Sequence, residues 1–169
     1  SGGVTNPIVV EGNGATLSGL VPMPFAEWTL QADGTYWHPH AQTDSMRLYL
    51  MDGDREIAKA SLSNLLPDIH CCTSEGVWFR PAAGKTLTDY ELLGTLRSSG
   101  VIINYGSYIR VRDLVCERFA NDGFNVHGSS RGLFFENIEG RFNGDDGFSI
   151  HEDIEAIVYG GYFHGNDYG

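Results

Sequence analysis

The chain has 169 residues, a formal net charge of −11, 41% hydrophobic and 20% charged residues. That is one domain's worth of core and too apolar for a disordered chain. Eleven Lys and Arg spread along an acidic chain exclude a basic nucleic-acid face, and no run approaches the roughly 18 apolar residues of a membrane span, so neither nucleic acid nor membrane is an expected partner.

Glycine, at 22 residues, has nearly twice its average share of about 7% and predicts many tight turns between short strands. Ser1-Gly2-Gly3-Val4 reads as a trimmed end without a signal peptide. Residues 6–20, "NPIVVEGNGATLSGL", alternate Ile8 and Val10 with Val9 and Glu11; Gly12-Asn13-Gly14 then predicts a turn. Over 22–98 the pattern changes: all three Trp, five of six Pro and the adjacent Cys71 and Cys72 fall here. Asp52-Gly53 within 46–60 and the stretch 75–87 each predict a hairpin, so 22–98 is expected to be an inserted antiparallel β subdomain. Trp28, Trp37 and Trp78 are expected in its core, although an exposed indole could stack on a sugar ring. His38 and His40 read as loop residues rather than a metal pair. With Cys116 the cysteines number three, which gives no disulfide framework and none of the paired spacings of zinc sites.

The domain plan is therefore residues 1–21 as a first coil, 22–98 as the insertion, and 99–169 as further coils. In the last segment "NDGFNVHGSS" (121–130) overlies "DDGFSIHEDI" (145–154) at an offset of 24, aligning Asp122 with Asp146, Phe124 with Phe148, and His127 with His151. A third copy begins at 156–169, where Asn166-Asp167 echoes Asn121-Asp122 at a shorter spacing of 21. "RVRDLVCERF" is the only stretch that could hold a helix. Short strands with Asn, Asp and Gly turns fit a parallel β-helix, each repeat forming one coil stacked about 4.8 Å from the next. The sequence stops at Gly169 within a repeat. The expectation is a segment of a longer solenoid, with further coils of the same chain or another subunit over that end.

On such a coil Phe124 and Val126 point inward, as do Phe148 and Ile150. Asn125, His127, Ser149 and His151 then point outward, with Asp122, Asp145 and Asp146 in the turn just before. Two carboxylates in different environments can divide acid and base roles, and a histidine can carry a proton. Several Asp oxygens on adjacent turns can also hold Ca²⁺. The competing reading is structural, because Asp and Asn before Gly are ordinary turn formers. It applies to Asp122 and Asp145 more than to Asp146, since one turn seldom needs two acids.

These residues resemble the right-handed parallel β-helix (pectate-lyase-like) enzymes that act on polysaccharides. "NDG" at 121–123, "GDD" at 144–146 and "HG" at 164–165 are similar to the Asn-Thr-Asp, Gly-Asp-Asp and Gly-His-Gly series of polygalacturonase-type glycoside hydrolases, although Asn121 directly precedes Asp122 and Phe163 replaces the first Gly. That resemblance implies acid and base roles for Asp122, Asp145 and Asp146, with His164 assisting. "GFSIHE" (147–152) is similar to the Gly-Phe-Asp-Pro-His-Glu stretch of mannuronan C5-epimerases, related to alginate lyases, and implies a catalytic His151; Ser149 stands where that family has its Asp. The expected function is cleavage of a glycosidic bond, by hydrolysis at the Asp residues or by β-elimination at His151 or His127. Asn125, Ser149, Glu152, His164 and Arg141 are the expected substrate contacts. In elimination Ca²⁺, Arg131 or Arg141 would neutralise a uronate. The alternative is a noncatalytic polysaccharide-binding or structural solenoid of the tailspike or adhesin kind. Either class implies a secreted, extracellular or periplasmic protein.

Overall fold

The structure, a computed structural model, describes residues 2–39, 47–50 and 55–167. The expected Asp52-Gly53 hairpin and His40 lie outside the described residues. The chain is all-β, with three single 3-10 turns at Phe25–Glu27, Leu62–Asn64 and Leu87–Asp89 as its only helical elements among the described residues. Among the described residues no helix is long and apolar enough to cross a membrane. It divides into two compact units, Ser1–Gly19 with Ser98–Gly169, and Leu20–Arg97.

Strand β1 (Ile8–Ser18) opens the first unit. The second unit holds β2 (Leu20–Pro22), β3 (Thr29–Leu30), β4 (Tyr36–His38), β5 (Leu48–Leu50), β6 (Ile69–Thr73), β7 (Gly76–Arg80) and β8 (Leu92–Thr95). The chain then returns to the first unit with β9 (Val101–Asn104), β10 (Ile109–Glu117), β11 (Phe124–His127), β12 (Ser130–Arg141), β13 (Phe148–Ile150), β14 (Ile154–Tyr159) and β15 (Tyr162–His164).

From β9 to β14 successive strands alternate between two parallel sheets. One has the order β1-β10-β12-β14, with β15 also on β12; the other has the order β13-β11-β9. Arg110 pairs with Phe134, and Phe124 with Phe148, so one repeat of 24 residues advances each sheet by one strand. The stretch that could have been helical is β10, because Val111, Leu114 and Cys116 all face the interior. That interior is a ladder of like on like. Phe124, Phe148 and Phe163 stack in tilted pairs at 6.3 and 5.7 Å, and Phe135 meets both Phe124 and Phe148 edge-on.

Left-handed residues recur at the corners. Asp113, Asn137 and Gly160 share one corner, with φ of 52°, 49° and 69°. Asn137 donates its amide to the Asp113 carboxylate one repeat below, at 2.7 Å. Arg118, Phe142 and Gly165 share another. At Gly165 a Cβ would meet the Phe142 ring at 2.6 Å, so glycine here serves both the positive φ and the aromatic beneath it. Gly12-Asn13-Gly14 does not turn the chain out of the sheet as expected. Asn13 and Gly14 adopt positive φ inside β1 and form a register shift between Glu11 and Ala15, and the strand runs on to Ser18.

A second difference concerns the third repeat. Glu139 pairs with Tyr162 and Arg141 with His164, an offset of 23, so Asn166-Asp167 stacks on Asn143-Gly144 and not on the Asp-bearing turn. Asn143 is fully buried. Its Oδ1 accepts the Phe119 N–H at 3.1 Å, and its Nδ2 donates to Asn166 Oδ1 at 3.1 Å and to the Cys116 carbonyl. Replacing it by alanine strands the Phe119 N–H in an apolar interior. Asn143→Ala is expected to cost about 1–3 kcal/mol, read from chemical denaturation; a loss below about 0.5 kcal/mol would mean the ladder is decorative.

The second unit has two antiparallel sheets, β2-β8-β5 and β3-β4-β7-β6. Its core packs Trp28, Tyr36, Leu48, Val77, Phe79, Leu87 and Leu92. Trp28 is buried as expected, whereas Trp37 and Trp78 are only half-buried and pair across β4 and β7. The hairpin expected over 75–87 has a different partner. Gly76–Arg80 pairs back with Ile69–Thr73 through a two-residue Ser74-Glu75 turn, and Pro81, lacking an N–H, follows the strand. His38 is not in an open loop; it is buried on β4 with Nε2 3.1 Å from Glu27.

Candidate functional site

Three repeats of backbone hydrogen bonding bring the acidic turns together. The Asp145 N–H bonds the Asn121 carbonyl at 3.0 Å, and the Gly123 N–H bonds the Asp146 carbonyl at 2.9 Å, so one Asp-bearing turn lies directly on the other. Oxygen atoms of Asp122, Asp145 and Asp146 all lie within 4.8 Å of one another.

The three carboxylates are not equivalent. Asp122 is 2% exposed. Its Oδ1 accepts the Asp146 N–H at 3.1 Å, and its Oδ2 accepts amide N–H groups from Asn121, at 2.7 Å, and from Asn125. Those bonds hold it in place. Burial, reinforced by the charges of Asp145 and Asp146, nevertheless raises its pKa. Asp145 and Asp146 are half-buried, and neither carboxylate accepts a hydrogen bond from the described residues. Burial and then the Asp146 charge raise the Asp145 pKa.

Along β11 and β13 the register pairs Asn125 with Ser149 and Val126 with Ile150, as the alternation predicts. Two exposures differ from expectation. Asn125 and Ser149 lie opposite the interior residues but are only 7% exposed, because Asn125 turns its amide to Asp122 and the Ser149 hydroxyl meets His151 Nε2 at 2.8 Å. Ile150, expected inside, is 51% exposed, because β13 is an edge strand. The His127 and His151 rings stack at 4.3 Å with planes 5° apart. Glu152 accepts the Gly128 N–H at 2.7 Å, which lowers its pKa, and its Oε2 lies 3.5 Å from His127 Nδ1.

No family model, no curated protein and no solved structure matches the chain. The site's chemistry therefore rests on these side chains. Two half-buried carboxylates with open lone pairs can pass a proton to and from a ligand, or hold a hard cation through oxygen.

His164 and Arg141 do not belong to this cluster. Both lie on the other sheet, where Arg141 bridges Glu117 and Glu139 at 2.7 and 2.9 Å, and His164 Nε2 lies 3.0 Å from Glu139. The cause is the sheet each strand joins: His164 ends β15, which pairs with β12 and so sets it beside Arg141 rather than after the acidic turn. Arg131 pairs with Asp153 at 2.5 Å and has Glu155 at 3.9 Å. Both arginines expected to neutralise a uronate are thus held by acids. Asn121, which fixes Asp122, entered the sequence reading only as part of a turn motif; its signal is an amide directly before the buried acid.

The raised Asp145 pKa has a sign that can be tested. Its carboxyl binds a proton more readily when folded, so its contribution to stability is full below the ordinary value of 3.8 and is lost as pH rises through the higher folded value. Asp145→Asn, which keeps the neutral shape at every pH, is expected to melt a few degrees above wild type at neutral pH. That gap should close on acidification. A gap of constant size across the titration would refute a charge origin.

Proposed function

We propose that the first unit is a right-handed parallel β-helix that cleaves a glycosidic bond of a polysaccharide by hydrolysis. One observation carries this reading: Asp145 and Asp146 are half-buried, have carboxylate oxygens within 4.8 Å of each other and of Asp122, and accept no hydrogen bond from the described residues, while the neighbouring Asp122 accepts three. An acid kept only for its turn would bond nearby backbone, as Asp122 does.

In the proposed reaction Asp145, whose proton is held more tightly than usual, donates it to the leaving glycosidic oxygen. Asp146 takes a proton from the attacking water, and Asp122 positions the turn that carries them. His151, fixed by Ser149, and His127, stacked upon it, face the ligand beside the acids. Hydrolysis is favoured over β-elimination because Arg131 and Arg141, the two guanidiniums expected to neutralise a uronate, are both committed to acids.

A cation at the three aspartates is the second reading that the same geometry favours. The donor set is all oxygen, which suits Ca²⁺, with water or ligand oxygens completing six to eight contacts. Bound there, Ca²⁺ would supply charge neutralisation of an acidic ligand.

The deciding experiment is a polysaccharide panel read for reducing ends and for absorbance near 235 nm, with and without chelator. Reducing ends alone, unaffected by chelator, are the expected result. Both signals rising, and falling with chelator, would replace hydrolysis by cation-assisted elimination. Silence in both, with retained polysaccharide binding, would make the solenoid noncatalytic.

A further inference from the structure

The second unit holds a cleft of about 360 Å³ bordered by Gln31, Ala32, Asp33, Thr35, Leu62, Leu65 and Trp78. We infer that this cleft is a saccharide-binding site for an uncharged pyranose, built on the indole of Trp78. The inference rests on the polysaccharide reading above and names a second place where the chain meets its ligand.

The sheet produces the aromatic wall. Alternation along β7 sends Val77 and Phe79 into the core, where both are fully buried, and so sends Trp78 to the opposite face. Trp37, directly across on β4, lies on that same face with its ring 6.4 Å from Trp78. An indole left half-buried at a cleft offers a flat apolar surface to the C–H face of a sugar ring. Leu62 and Leu65 supply the apolar wall opposite the turn over residues 31–35.

The polar groups at the rim are fixed and few, as in most small-ligand sites. Asp33 Oδ1 accepts the N–H and hydroxyl of Thr35, at 3.1 and 2.6 Å, and its Oδ2 accepts Arg80 Nη2 at 3.0 Å. The carboxylate is thereby held in one orientation with one acceptor position, on Oδ2, left for a hydroxyl. The Thr35 bonds, led by its hydroxyl, lower the Asp33 pKa, so the group stays an acceptor in mildly acidic media. Gln31 spends its Nε2 on the Thr29 carbonyl, at 3.1 Å, and its side-chain oxygen accepts no hydrogen bond from the described residues. Hydroxyls are the ligand groups that two open oxygen acceptors select.

Charge sets the ligand class. Among the described residues, Arg80 is the one cation tied to this rim and is neutralised by Asp33, and no cation lines the cleft itself. A uronate would meet a carboxylate with no counter-charge. A neutral hexose or pentose ring would not, and a cleft of this size holds one or two such rings.

The test is calorimetric titration of the whole chain with short neutral oligosaccharides and with uronate oligosaccharides, alongside tryptophan fluorescence. Binding of at least one neutral series, with quenching, is expected. Trp78→Ala should weaken it about tenfold or more; Trp78→Tyr, which keeps a ring, should restore most of the affinity. Gln31→Ala, expected to weaken binding about fivefold, covers the case in which Trp78→Ala does not fold. Asp146→Asn should leave this binding unchanged. Binding of uronates alone, no neutral binding, or undiminished affinity in the Trp78→Ala and Gln31→Ala variants would overturn the inference. Cleavage without neutral binding would sink this site alone; neutral binding without cleavage would sink the hydrolytic reading alone.

Discussion

Asp146→Asn should lower turnover of the cleaved polysaccharide by about 10²–10⁴-fold, the range that general acid–base catalysis contributes, without unfolding the chain. The side chain is half-buried and accepts no hydrogen bond from the described residues, so the isosteric amide breaks no bond. The bond that Asp146 does make to Asp122 comes from its backbone N–H, which the substitution keeps. Its charge is also one of the causes that raise the pKa of both Asp122 and Asp145, so removing it relieves a like-charge cluster. A drop in turnover with an equal or higher melting temperature is therefore the expected pair of results. The alkaline limb of the residual pH–rate profile should move to lower pH too, because the Asp145 proton is then held less tightly. Retained turnover would remove Asp146 from the reaction. Lost turnover with lost folding would return the acidic turn to a structural role.

How far the sequence carried this reading depends on the kind of contact. The 24-residue offset was legible because stacked strands put like on like: Phe124 on Phe148, and His127 on His151, are register pairs or stacked rings. The closeness of the two acidic turns followed from the same offset. What did not follow was which carboxylate would be saturated. Asp122 and Asp146 are aligned in sequence, yet Asp122 is capped by the amides of Asn121 and Asn125 and by the Asp146 N–H, while the Asp146 carboxylate stands open among the described residues, because the next repeat has Asp145 and Ser149 where the two amides stand. Arg141 and His164 were misplaced for a different reason. Arg141 ends β12 and His164 ends β15, both on the sheet opposite the acidic turn, and a motif spacing does not reveal which sheet a residue joins. The buried Asn143 was invisible because asparagine reads as a turn former, and its burial exists only once Asn166 stacks on it. In the second unit, the half-exposure of Trp78 was open in the sequence and decided by the face of β7 on which it falls.

Phe135→Ala is expected to be the most destabilising single truncation in the first unit, costing about 3–5 kcal/mol. The ring is fully buried on β12, 6.2 Å from Phe124 and 4.9 Å from Phe148 in edge-on contacts. It thus bridges the two parallel sheets, and a void there could be closed only by the side chains of the neighbouring stacked strands. Its neighbour Phe134 provides the control. Phe134 is half-buried on the opposite face of the same strand, with Arg110 5.2 Å above its ring, so Phe134→Ala should cost only about 1 kcal/mol. Denaturant titrations of the two variants measure the contrast; similar losses would mean that the interior is not packed as described. The effect should also reach the site. Phe124 and Phe148 begin the strands that directly follow Asp122 and Asp145-Asp146, so loosening their rings frees the two acidic turns to drift apart. Turnover in folded Phe135→Ala should fall while that in Phe134→Ala is maintained, which ties the acid pair to the aromatic ladder beneath it.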